Sequence, residues 1–379
     1  MKTEQKIWKR EQGWSNVAGP SLGDTAQIIF IFGATEALKE MRVFEEIKAM
    51  YPKSLLFGCS TSGEICGTQV LDNTIVLTAV HLEHTTVRGA QIDLTNTATS
   101  FEAGEKLARS LPAAGLVHAF VLSDGLNVNG SDLVRGLSDQ LPENVTITGG
   151  LAGDADRFNE TFVFFADIPR RNRVSVVGFY GDRLKIGYGS MGGWDPFGPE
   201  RIVTKSDQNV LYELDDQSAL ELYKKYLGEY AEGLPATGLL FPLSIRTKAG
   251  ESAIVRTILS VNEKMQSMTF AGDIPEGAFA RFMKANFERL IDGAQGAAKT
   301  SFEAGGSTSP ELAILISCVG RKLVLKQRTE EEVEAVRDIL GPQTVFTGFY
   351  SYGEISPFSP GIKCSLHNQT MTITTFRET

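Results

Sequence analysis

Cysteine is scarce in this sequence. Cys59, Cys66, Cys318 and Cys364 are spread through 379 positions, and no two form a CxxC pair. That excludes a disulfide framework of the kind that holds small secreted domains, and it fits reduced thiols in a cytoplasmic protein. Long apolar runs are missing too. The longest, such as Ile28 to Phe32, fall far short of the roughly 20 residues a spanning helix needs, so no membrane insertion is expected. The first thirteen residues are polar and mixed in charge, and no signal peptide is expected. Basic clusters are absent as well. Lys and Arg number 37 against 46 Asp and Glu, a net charge of −9, with no Lys/Arg stripe to follow a phosphate backbone. Nucleic acid is therefore not an expected partner.

What is present is an alternation of strand and helix patterns. Gln27 to Phe32, Leu55 to Phe57, Thr74 to His81, Val117 to Ser123 and Val145 to Thr148 are short, apolar and often β-branched. Helical spacing recurs over Thr35 to Met50, Phe101 to Leu111 and Ser131 to Leu141, the last with Ser131 as its expected N-cap. From about Thr161 to Val203, short runs between Arg-Asn, Gly-Asp and Gly-Gly signals read as antiparallel hairpins. A helix over Gln217 to Leu227, strands near Ala253 to Val261 and Gln266 to Ala271, and a long helical stretch from Pro275 to Ala304 follow. The expected fold is α/β: two pseudo-repeated halves with mixed sheets and an inserted antiparallel β-rich segment. The length suggests two domains, 1–214 and 215–379.

The halves resemble each other. Phe57 to Ile65 reads F-G-C-S-T-S-G-E-I, and Thr347 to Ile355 reads T-G-F-Y-S-Y-G-E-I. Gly58 and Gly348, Gly63 and Gly353, and Glu64 and Glu354 share one offset of 290 (348 − 58 = 354 − 64). Each motif follows a strand, a helix, a Pro-marked turn and a second strand, so one supersecondary unit used twice is expected. Each then lies at the C-terminal end of a strand, where open α/β sheets place ligands. The glycines permit close backbone approach. Ser60, Thr61, Ser62, Ser351 and Tyr352 offer hydroxyls to a polar ligand, and Glu64 and Glu354 offer partners for an amine. The alternative is that each Gly-Glu pair closes a turn and caps a neighbouring element. The two loops are expected to approach each other.

These motifs resemble the hallmarks of the FIST sensory family. C-S-T-S-G-E-I matches its N-terminal part, and G-F-Y-S-Y-G-E-I-S-P its C-terminal part. Leu122-Ser-Asp-Gly-Leu-Asn127, Gly149-Gly-Leu-Ala-Gly-Asp154, Gly192-Gly-Trp194, Tyr223 to Gly228, Phe241-Pro-Leu243, Ile316 to Arg321 and Leu366-His-Asn-Gln-Thr370 extend the likeness from about residue 25 onward. The resemblance implies an intracellular module that binds a small ligand, such as an amino acid, and acts on a separate histidine kinase or chemoreceptor. A subset of the family resembles bacterial nitric-oxide sensors that bind haem, which makes haem the alternative cofactor.

Other chemistries are weighed on the same residues. A non-covalent haem needs an axial ligand, with His81, His84, His118 and His367 as the choices. His118, in an apolar strand, reads first as a core histidine. His81 with His84, and Cys364 with His367, are three apart, which puts the two side chains on opposite faces of a strand and argues against chelation. Gly58-Cys-Ser-Thr-Ser62 approaches a nucleophile elbow but has Ser62 in place of the second glycine. The second copy has Phe349 and Tyr350 where Cys59 and Ser60 stand, so an enzyme is not expected. Asp124 and Asp154 follow strands and are candidates to line a pocket. Asn127 and Asn129 read as turn or cap residues. Trp194 is a pocket wall or a core residue. Arg256, in an apolar strand, needs a carboxylate, from a ligand or from the fold.

Overall fold

The apolar runs become paired parallel strands. In the computed structural model, which describes residues 1–247, 253–358 and 361–379, Ile28–Ala34 lies parallel to Leu55–Thr61. The helix Met41–Met50 joins them and buries Val43, Phe44 and Ile47. All seven residues of Ile28–Ala34 are buried, as expected of a strand covered on both faces. The late copy repeats this: Leu312–Cys318 runs parallel to Val345–Ser351, and the helix Thr329–Leu340 lies between them in the chain. The single helix expected over Thr35 to Met50 is two, Thr35–Leu38 and Met41–Met50.

A third copy lies between these two. Leu116–Ser123 and Thr146–Leu151 are parallel and joined through Gly130–Gln140. That helix is capped by Asn129, which accepts from the amides of Ser131 and Asp132, and not by Ser131. Gly58, Gly149 and Gly348 hold the same place in the three second strands. A Cβ there would sit 2.0, 1.9 and 1.9 Å from the carbonyl oxygens of Ile31, Val121 and Leu315. Each first strand also carries an antiparallel third strand: Ile75–His81, Arg173–Tyr180 and Met371–Glu378.

The copies exchange strands in a ring. Glu64–Cys66, after the first copy, pairs with Val345–Ser351 of the third. Gly353–Pro357, after the third, pairs with Thr146–Leu151 of the second. Val163–Phe165, after the second, pairs with Leu55–Thr61 of the first. Three backbone hydrogen bonds close the ring: Ser62 N–H to Tyr350 O at 2.8 Å, Gly153 N–H to Ser60 O at 2.9 Å, and Tyr352 N–H to Leu151 O at 3.3 Å. The result is pseudo-threefold, three six-stranded mixed sheets around one apolar cluster. Phe30 and Phe32, Phe120 and Leu122, and Ile314 and Ile316 come to that cluster from equivalent positions. Strands from both sides of residue 214 share sheets.

The antiparallel insert lies later than its turn signals suggest. Arg173–Tyr180 and Leu184–Met191 do not pair with each other; they join the mixed sheets through Leu116–Ser123 and Met371–Glu378. The antiparallel nine-stranded sheet runs from Trp194–Pro196 to Phe279–Ala285 and closes over Leu211, Tyr223, Phe270 and Phe282. Phe279–Ala285 occupies part of the stretch expected to be helical, and the helix is Phe287–Ala304. Turn residues mark where a strand ends; they carry no information about its partner. Among the described residues, no helix is long and apolar enough to cross a membrane.

Candidate functional site

The two Gly-Glu turns touch, and they are built alike to the atom. Tyr350 N–H donates to Gly63 O at 2.8 Å, returning the bond from Ser62 to Tyr350. Glu64 accepts from the Thr61 hydroxyl on Oε1, and from the Thr74 amide (3.1 Å) and hydroxyl (2.6 Å) on Oε2. Glu354 accepts from the Ser351 hydroxyl (2.6 Å) on Oε1, and from the Thr370 amide (3.1 Å) and hydroxyl (2.9 Å) on Oε2. Both carboxyls are wholly buried. Burial raises them, to about 7 for Glu64 and about 8 for Glu354, against the pull of these donors. Thr74 and Thr370 each stand just before a third strand. Each glutamate therefore ties the returning chain to the turn it left.

The middle copy ties its return differently. Asp124 accepts from the amide of Asn172, which precedes Arg173–Tyr180, and also from Leu126 N, Asn127 N and the Thr161 hydroxyl. Asp154 holds Arg157 and the amides of Asn159 and Glu160. The Ser60 hydroxyl donates to Gly153 O (2.8 Å) and accepts from Phe162 N. Ser62 Oγ reaches Ala155 O, and Tyr352 stacks on Phe158 while its hydroxyl donates to Ala155 O. These polar groups are thus spent on the junction itself. Burial pushes the Cys59 thiol well up, away from a reactive thiolate.

The histidines are engaged as well. His118 meets the Thr146 and Thr148 hydroxyls at 2.7 and 3.1 Å, and burial lowers it to about 3. His367 meets Ser356 O at 2.9 Å and is lowered by burial to about 4. His81 meets Thr25 O and His84 meets Arg183. None of the four lines either of the two cavities described below. No cluster of metal-ligating side chains is found among the described residues. Trp194 is a core residue: its indole donates to Gln369 O at 2.8 Å.

Arg256 lies elsewhere, in the wall of a partly open recess. A cavity of about 500 Å³ opens between the helix Gly130–Gln140, the strands Leu243–Arg246 and Ile254–Arg256, and the edge strand Cys364–His367. Arg256 is 6% exposed and donates to Leu366 O (2.9 Å) and Asp273 O (3.3 Å). Ser131, Ser138, Arg135, Arg246, Asp273 and Lys363 share the lining. A second cavity, about 560 Å³, continues past Ser138, Asp139, Lys363 and Cys364. Of the ten site residues expected from sequence, Arg256 alone lines either one. The remaining lining residues carry no sequence signal beyond isolated serines and charges on amphipathic elements. A buried network also went unanticipated: Arg321 pairs with Glu332 at 2.7 Å, and Tyr350 and Ser317 donate to the same carboxylate.

The recess thus lies between the mixed sheets and the antiparallel sheet of a pseudo-symmetric α/β scaffold. The family models make the class specific: the FIST N domain matches residues 27–217 and the FIST C domain residues 219–357. The chain belongs to the FIST family of sensory, small-ligand-binding signalling domains. It is 26% identical over 358 residues to an uncharacterised protein of Methanocaldococcus jannaschii, covering 88% of this chain and 67% of that one. Among solved structures, a cyanuric acid hydrolase from A. caulinodans aligns over 78% of this chain and 99% of its own, at 11% identity. Its TM-score of 0.19 carries no argument about fold or activity.

Proposed function

We propose that this protein senses a small polar ligand in the cavity beside Arg256 and passes the change to a separate partner, a histidine kinase or chemoreceptor. The observation that carries this reading is the placement of the cavity. One wall, Gly130–Gln140, belongs to the FIST N match; the strands Leu243–Arg246 and Ile254–Arg256 belong to the FIST C match. A ligand there bonds to both, and binding that favours one arrangement of the two shifts the population toward it. The twin Gly-Glu turns serve as the fastening of the scaffold, since the Glu64 and Glu354 carboxyls each already accept three hydrogen bonds from it. Free amino acids are the first ligands to test. Four free cysteines fit action in a reducing cytoplasm.

A thermal-shift panel of the amino acids tests this through ligand linkage. At least one is expected to raise the melting temperature, and the rise is expected to vanish in Arg256→Gln and to survive in Glu64→Gln. The opposite pattern would move the ligand to the turns. Protein expressed with haem supplied is expected to show no Soret band; a band lost in His118→Ala or His367→Ala would favour the gas-sensor alternative.

A further inference from the structure

Three arginines are buried in this chain: Arg173 at 4%, Arg256 at 6% and Arg321 at 0% exposure. Arg173 pairs with Asp93 at 3.0 Å, and Arg321 with Glu332 at 2.7 Å. Arg256 makes no ion pair among the described residues. Its Nε and Nη1 are satisfied by backbone carbonyls, and its Nη2 makes no hydrogen bond. Carbonyls satisfy the N–H groups but do not neutralise the charge, and a buried charge is retained at a cost unless an anion compensates it. Asp273 is the acidic charge that acts on Arg256, raising its pKa against burial, but its carboxylate makes no ion pair with it; the buried arginine without a direct carboxylate contact is the one that lines the cavity.

Two further groups wait in the same place. The Ser131 and Ser138 hydroxyls are buried and have no hydrogen-bond partner, which is rare for buried polar atoms. They stand seven residues apart, two turns of one helix, and so share a face that lines the cavity. Ser131 and Arg256 converge over Gly272, where a Cβ would lie 2.9 Å from both Ser131 Oγ and Arg256 Nε. The other cations of the lining are Arg135, paired with Asp132, Arg246, paired with Glu200, and Lys363, which makes no ion pair among the described residues. Asp139 and Asp273 are the lining acids, and the Asp273 carboxylate already takes a bond from Asn129 at 2.9 Å.

We infer that this recess is a carboxylate site: a small organic acid supplies Arg256 with a direct carboxylate contact at Nη2, and the Ser131 and Ser138 hydroxyls donate to its oxygens. The inference rests on the reading of this cavity as the ligand site and adds the chemical class. Val134, Ile245, Ile254 and Leu366 give the recess an apolar floor suited to a short carbon chain. One open guanidinium nitrogen and two hydroxyls match two oxygens better than a phosphate's full set.

The test uses the full chain and calorimetric titration with acetate, succinate, L-glutamate, inorganic phosphate and succinamide at matched ionic strength. One carboxylate is expected to bind, its amide counterpart roughly tenfold or more weaker, with a similar loss in Arg256→Gln, because hydrogen bonds to charged groups are the strong ones. Ser138→Ala is expected to weaken the carboxylate several-fold. It makes no hydrogen bond in the free protein, so it reports on binding even if Arg256→Gln fails to fold. Equal binding of acid and amide, both abolished by Arg256→Gln, overturns the carboxylate inference and leaves the cavity reading standing. Carboxylate binding indifferent to Arg256→Gln and Ser138→Ala overturns both. Phosphate bound more tightly than every carboxylate overturns the assigned class, and no binding by any carboxylate at millimolar concentration overturns the inference outright.

Discussion

Glu64 and Glu354 are carboxyls without a cation at hydrogen-bonding distance, held only by hydroxyl and amide donors. Their folded pKa values, about 7 and about 8, lie above the value of 4.5 of an ordinary glutamate. The unfolded chain therefore releases these protons first as pH rises. The contribution to stability is fully present below pH 4.5 and is lost as pH climbs through 7 and 8. Urea denaturation across this range is expected to show stability falling with pH. Glu64→Gln, which places an amide N–H toward Thr61 and keeps an acceptor for Thr74, is expected to flatten part of that slope. Glu64→Ala leaves the Thr74 amide and the Thr61 hydroxyl unpaired and opens a void, at a cost of about 2–4 kcal/mol. An unchanged pH slope in both Glu64→Gln and the matching Glu354→Gln would show that these carboxyls are already ionised in the folded protein.

At the scale of elements, the three parallel strand pairs depend on one backbone contact each. Gly149→Ala puts a Cβ 1.9 Å from Val121 O, a backbone atom that cannot step aside. A loss above about 3 kcal/mol is expected by chemical denaturation, in the class of severe, nameable defects. The neighbouring Gly150→Ala meets the Cγ2 methyl of Ile316 at 2.9 Å and Gly353 O only at 3.1 Å, and is expected to cost less. Asn129→Ala removes the cap of Gly130–Gln140, worth about 1 kcal/mol. It also cuts the bond to Asp273 and so loosens one wall of the cavity. A ligand's affinity is expected to fall more than that stability loss alone accounts for.

At the scale of the whole molecule, exchanged strands tie the parts together. Residues 1–217 alone would lack both Gly353–Pro357 and Val345–Ser351, leaving the edges of two sheets unpaired. Expressed alone, that fragment is expected to lose its near-UV circular dichroism and to aggregate. Co-expressed with residues 218–379, it is expected to recover a soluble complex. The three six-stranded sheets are expected to unfold in one transition, because none of them can be lost without exposing the cluster around Phe30, Phe120 and Ile314. Independent folding of the fragment would contradict the interlocked arrangement.

Local features were legible in the residues. Strand positions, most helices and the 290-residue repeat follow from apolar patterning and from turn glycines, which act on near neighbours. The twin glutamate turns were visible for the same reason, but which of their two readings holds depends on Thr74 and Thr370, further along the chain. The third copy was hidden because its fastening moved: T-I-T-G-G-L-A-G keeps the close-approach glycine, Gly149, but Asp124 replaces the turn glutamate. Arg256 stood out as a charge in an apolar strand, whereas Ser131 and Ser138 are ordinary residues on a helix. Only the tertiary structure decided the strand exchange, because backbone hydrogen bonds between strands carry no side-chain identity. It alone also brought residues 131, 256 and 366 around one recess and left Arg256 without an ion pair among the described residues, since the contact of opposite charges is a property of neighbours in space.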